Sequence, residues 1–129
     1  MQSLSNGFII MPNQIFYLKT CDTCKKIISQ INDLKSFELI DIKEKHLTLY
    51  QLESLYQKTN SYEKLFSKRA KLYKERDLKN ENLSENDIKH LILEHYTFLS
   101  RPVIVYEDDI FIGNSSKTIA QMLEQVNAK

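Results

Sequence analysis

Gln14-Ile15-Phe16-Tyr17-Leu18-Lys19-Thr20-Cys21-Asp22-Thr23-Cys24-Lys25-Lys26 is the stretch that decides the fold. An apolar run of strand character, Gln14 to Leu18, leads into the only two cysteines of the chain. A helix-like segment follows, from about Thr23 to Leu34. A strand that ends in Cys-x-x-Cys and turns into a helix is a redox arrangement. The N–H groups at a helix N-terminus carry partial positive charge, which favours ionisation of a sulfur placed there, and the thiolate is the reactive form. Lys25 and Lys26 add formal charge beside it. A second sulfur about one turn on can close a disulfide with the first.

Other uses of two cysteines fit less well. A structural zinc site takes four Cys or His ligands. His46, His90 and His95 are remote in sequence and show no paired ligand spacing, so no metal is expected. A disulfide framework has only one pair to work with. An inert pair would satisfy the count but would make nothing of the strand-to-helix context.

Working outward, Phe37 to Ile42 reads as a second strand, giving strand–helix–strand and a parallel pair. Leu47, Tyr50, Leu52, Leu55 and Tyr56 recur at helical spacing behind Thr48 as N-cap. Tyr62 to Phe66 and Ala70 to Tyr73 suggest short helical pieces. Ser84 and Asp87 form a capping box for a helix with Ile88, Leu91, Ile92 and His95 on one stripe. His95 reads as a helix-end residue rather than a catalyst. Val103 to Tyr106 and Ile110 to Ile112 form a hairpin around Glu107-Asp108-Asp109, without the favoured Asn-Gly or Asp-Gly turn. Gly113 breaks the second strand. Ser116 is then the expected cap of a last helix carrying Ile119, Met122, Leu123 and Val126 on one face.

The predicted fold class is therefore α/β, with a thioredoxin-like core: β-α-β, a helical insertion at about residues 47–97, then β-β-α. Residues 1–13 read as an N-terminal extension and residues 14–129 as a single domain. The 129 residues, 42% apolar, suffice for one hydrophobic core. A net charge of +1 argues against direct nucleic-acid binding. No apolar run approaches the ~18 residues of a membrane span. With no signal-peptide pattern at the start, the expected compartment is the cytoplasm, where such a pair is normally reduced.

Four segments then carry a resemblance: Cys21-x-x-Cys24-Lys25-Lys26, Ser67-Lys68-Arg69-Ala70-Lys71-Leu72-Tyr73, Leu99-Ser100-Arg101-Pro102-Val103-Ile104-Val105, and Ile112-Gly113. In order and spacing they resemble the arsenate reductases of the glutaredoxin-coupled type and their Spx-like relatives, from Gln14 to about Val126. The likeness leans toward the Spx-like and reductase-related branches.

The resemblance implies that Cys21 is the nucleophile and Arg101 an oxyanion-binding arginine. Pro102 resembles the cis-proline that faces the cysteine loop in such folds. The family's other two oxyanion arginines would fall at Ser67 and Gly113; Arg69 stands two positions beyond the first, as in Spx-like members. Cys24 matches the second cysteine of Spx proteins, where the pair forms a redox-switch disulfide. No bound cofactor is implied; glutathione with glutaredoxin, or thioredoxin, would supply electrons.

Arginine presents a planar fork suited to tetrahedral oxyanions. The chain has only three, Arg69, Arg76 and Arg101, against fifteen lysines, and two of the three fall inside these segments. Two function classes are compatible. One is a thiol oxidoreductase acting on a small oxyanion or glutathione-linked substrate, with Cys24 as resolving thiol. The other is a redox-switch regulator that binds a protein partner such as RNA polymerase. Neither needs a nucleic acid or a membrane.

Overall fold

The computed structural model describes residues 13–128. Two segments of nearly continuous apolar sequence, Ile15-Phe16-Tyr17 and Val103-Ile104-Val105-Tyr106, form the two central strands of a four-stranded sheet. Such runs suit strands covered on both faces. β1 (Asn13–Tyr17) pairs in parallel with β2 (Phe37–Asp41) and antiparallel with β3 (Val103–Tyr106). β3 pairs antiparallel with β4 (Asp109–Ile112), giving the order β2-β1-β3-β4.

Side chains alternate across a strand, and here the alternation sorts the core into two layers. Ile15, Phe37 and Ile104 pack on one side with Ile27 of α1 (Asp22–Ser29), Ile31, and Met122 and Val126 of α5 (Ser116–Val126). Phe16, Ile40, Val103 and Val105 pack on the other side against the helical segment between β2 and β3. That segment holds α2 (Leu49–Thr59), α3 (Lys71–Glu75) and α4 (Glu85–Glu94), with short 3-10 turns between and after them. The architecture is thioredoxin-like, with helices on both faces of the sheet. No helix among the described residues is long and apolar enough to cross a membrane.

The caps of α2 and α4 form as the sequence predicts. Thr48 and Gln51 cap each other's backbone N–H groups, as do Ser84 and Asp87. His95 closes α4 and then caps the next turn, accepting from Thr97 N through Nδ1. The β3–β4 turn closes without glycine because Glu107 takes a left-handed φ of 54° and its N–H donates to Asn13 Oδ1 at 2.8 Å.

Three expectations need correction. Asn13 is the first residue of β1, and the rest of the expected extension lies outside the described residues. α1 ends at Ser29 rather than near Leu34. There the Asn127 amide accepts from Asn32 N at 2.9 Å and donates to Gln30 O at 2.8 Å, binding the chain beyond the helix in a non-helical path. The cap of α5 is Ser115, whose Oγ accepts from Thr118 N at 3.1 Å, and Ser116 is the first helical residue.

One long-range contact matters for the site. Phe66 and Leu99 form an antiparallel bridge, with Ser67 N donating to Phe98 O and Ser100 N to Leu65 O, both at 2.8 Å. Phe66 stacks on Phe98 at 5.5 Å between ring centroids. Phe98 is fully buried in this joint. Phe98→Ala should therefore lower unfolding free energy by about 3–5 kcal/mol. A denaturant titration reads this directly, and a loss below about 1 kcal/mol would mean that the joint repacks.

Candidate active site: a thiol in a cationic cleft

Residue 21 is where β1 hands the chain to α1. Cys21 has extended backbone angles and acts as N-cap, its Sγ accepting from Cys24 N at 3.4 Å. This position leaves the Cys21 side chain half-buried while Cys24, one turn on, points into the core and is fully buried. Burial pushes the Cys24 thiol up from 9.0 to about 11. A backbone hydrogen bond involving Leu18 and the charge of Arg101 pull the other way, while the hydrogen bond to Cys21 adds to the rise.

At neutral pH Cys24 is therefore a protonated thiol. Its thiolate fraction rises about tenfold per pH unit until the pH nears 11. Closure of a Cys21–Cys24 disulfide from a Cys21 mixed disulfide should accelerate about tenfold per pH unit, or about a hundredfold from about pH 7 to about pH 9. Stopped-flow thiol release measures this rate. A flat profile would exclude Cys24 as the attacking group.

The cleft beside Cys21 has a volume of about 460 Å³. The bridge between Phe66 and Leu99 brings two segments that are distant in sequence to its rim. One contributes Ser67 and Arg69, the other Ser100 and Arg101. Ile112, Gly113, Asn114 and Ser115, from the end of β4 to the cap of α5, close the far side.

Arg101 is half-buried, and its Nη1 donates to Thr97 O and Leu99 O, each at 3.2 Å. Arg69 is exposed. Among the described residues neither guanidinium pairs with a carboxylate. Arg76, by contrast, is held by Glu94 at 2.6 Å and does not line the cleft. The Arg101–Pro102 peptide is cis. Pro102 is buried, and its carbonyl accepts from Gly113 N at 2.9 Å.

The structure thus gathers Cys21, Arg69 and Arg101 around one cavity, with Cys24 and Pro102 packed beside it. Sequence reasoning missed Ser100, Asn114 and Ser115. The capping pattern after Gly113 points to the neighbouring Ser116, and nothing local shows that the actual cap, Ser115, borders the thiol. A cleft lined by one accessible thiol and two arginines free of carboxylate partners, with no acidic lining residue, has the chemistry to accept an anion beside a sulfur.

The fold and this cleft define a thioredoxin-like protein of the thiol-chemistry class. More narrowly, residues 16–122 match the ArsC family, and the chain belongs to that family of arsenate reductases and Spx-like proteins. It is similar to the global transcriptional regulator Spx 2 of Bacillus anthracis, 26% identical over 115 residues that cover 84% of this chain and 85% of that one. Its fold is similar to the solution structure of SACOL0876 from Staphylococcus aureus, with 26% identity and a TM-score of 0.69 over 88% of this chain and 97% of the other. It is similar too to an arsenate reductase from Vibrio cholerae, with 20% identity and a TM-score of 0.69 over 93% and 98% of the two chains.

Proposed function

We propose that this chain is a thiol oxidoreductase in which Cys21 attacks an anionic substrate held by Arg69 and Arg101. Cys24 then resolves the adduct. The observation that carries this reading is the sharing of one cleft by the Cys21 thiol and two guanidiniums that lack carboxylate partners. Cys21 forms a bond to the electrophilic atom, and the leaving group departs with its electron pair. Cys24 loses its proton and attacks Cys21 Sγ, which breaks the bond between Cys21 and the substrate atom. That atom departs with the bond's electron pair, reduced by two electrons, and the cysteines are left as a Cys21–Cys24 disulfide. Glutathione with glutaredoxin, or thioredoxin, returns the electrons in this scheme, and the cytoplasm is the compartment that keeps the pair reduced.

The similarity to Spx 2 favours one alternative. In it, the same disulfide switches binding to a protein partner such as RNA polymerase. The two readings separate in one set of measurements. Turnover of arsenate or a glutathione-linked substrate with glutathione and glutaredoxin supports the enzyme. Redox-dependent partner binding without turnover supports the regulator. Both require that mild peroxide treatment closes the disulfide, which intact mass records as loss of two hydrogens. Glutathione adducts or sulfinic acid alone would rule out the dithiol cycle.

A further inference from the structure

Glu94 is the last residue of α4, and no basic residue stands in that helix's last turn. A carboxylate there opposes the helix dipole, so the helix itself gains nothing from it. Its partner comes from another element. Arg76, the residue that ends α3, donates from Nη1 to Glu94 Oε1 at 3.2 Å and from Nη2 to Oε2 at 2.6 Å. The other ion pairs among the described residues are single contacts made by lysines. A two-pronged pair fixes orientation as well as distance. It also places Arg76 Cζ over the ring of Phe98, 5.7 Å from the centroid, within the range of a cation–π contact.

Phe98 is the middle of the turn that anchors Arg101. The carbonyls on either side of it, Thr97 O and Leu99 O, both accept from Arg101 Nη1. The pair also spans the two segments that bring arginines to the cleft. Arg69 stands two residues before α3 and Arg76 directly after it, while Glu94 stands just ahead of the turn that anchors Arg101. The Phe66–Leu99 bridge joins these segments at one point. One joint leaves a hinge, and a second joint at the C-terminal end of α3 removes rotation about it.

We infer that Arg76 and Glu94, neither of which lines the cleft, are positioning residues of the anion site: their ion pair fixes the turn at residues 95–99 and with it the guanidinium of Arg101. This rests on the reading of Arg101 as the anion-binding group beside Cys21, and it names a further pair of residues on which that binding depends.

The test uses two substitutions that remove no positive charge. Arg76→Lys keeps the charge and loses the fork. Glu94→Gln removes a negative charge and leaves one acceptor oxygen. The probe is sulfate, titrated at constant ionic strength against the rate at which iodoacetamide alkylates Cys21 in the whole reduced chain. Both variants should weaken sulfate protection by about three- to tenfold. A purely Coulombic role predicts another pattern: no change for Arg76→Lys and tighter binding for Glu94→Gln. The sulfate-free alkylation rate and the denaturant midpoint should stay near those of the parent, since exposed ion pairs contribute little to global stability. In an Arg101→Lys background, Arg76→Lys should add almost nothing, because both changes act on the same contact.

An unchanged protection constant in either variant, or tighter binding by Glu94→Gln, would overturn the inference while leaving Arg101 at the site. So would a fully additive loss in the Arg101→Lys background. A loss of protection matched by an equal change in the sulfate-free alkylation rate would overturn it as well, being the mark of general loosening. A parent chain whose Cys21 is not protected by sulfate would instead overturn the underlying reading of the cleft as an anion site.

Discussion

Cys21→Ser will reduce thiol chemistry at this site by about three orders of magnitude or more, because a hydroxyl is a far weaker nucleophile than a thiol at neutral pH. Cys21 is also the N-cap of α1, and serine is a better capping residue than cysteine. The variant should therefore fold with stability equal to or above that of the parent, which separates chemistry from folding. Cys24→Ser makes the complementary case. It should leave alkylation of Cys21 intact and stop the reaction at a mixed disulfide. Peptide mapping after brief alkylation at neutral pH should find label on Cys21 first, since Cys24 is fully buried and its thiol lies near pKa 11. Cys21→Ser activity within tenfold of the parent, or first labelling of Cys24, would reverse the two roles.

Arg101→Lys should weaken anion binding beside Cys21 by roughly tenfold to a hundredfold, the effect of losing a charged hydrogen bond worth ~1.5–3 kcal/mol. The charge is kept, so a purely Coulombic role would show almost no change. The argument for a larger effect is geometric. Arg101 anchors itself through Nη1 on the carbonyls of Thr97 and Leu99, which leaves the rest of the planar fork for a ligand. A lysine has one nitrogen and cannot be tied to both carbonyls and still present a fork. Sulfate, arsenate and oxidised glutathione titrated against the alkylation rate of Cys21 give the affinities. Identical protection constants for the parent and the lysine variant would remove Arg101 from the site. Arg69, exposed and lacking a comparable anchor, should show a smaller loss on the same substitution.

Much of this fold is written in local pattern. Thr48 with Gln51 and Ser84 with Asp87 cap their helices by contacts three residues apart, which short-range chemistry dictates. The apolar runs at Ile15 and Val103 announce central strands because a strand covered on both faces has no polar side to alternate with. The placing of Cys21 at a strand-to-helix turn follows from its immediate neighbours in the same way. So does the depth of Cys24, one turn further along the helix face that also carries the buried Ile27.

What local pattern could not supply depends on residues far apart in the chain. The end of α1 at Ser29 is set by Asn127, ninety-five residues beyond the Asn32 N–H that it accepts. The shift of the α5 cap from Ser116 to Ser115 follows the left-handed turn at Gly113, whose N–H is claimed by Pro102. The meeting of Arg69 with Arg101 depends on the Phe66–Leu99 bridge, and the entry of Asn114 and Ser115 into the cleft depends on the β3–β4 hairpin. The sequence by itself determined the thiol, its helix and the strands around it, because those are short-range consequences of periodicity and capping. Only the tertiary structure decided how the segments carrying Arg69 and Arg101 meet the thiol at one cleft and how large that cleft is. Those are properties of distances between segments, and packing alone sets such distances.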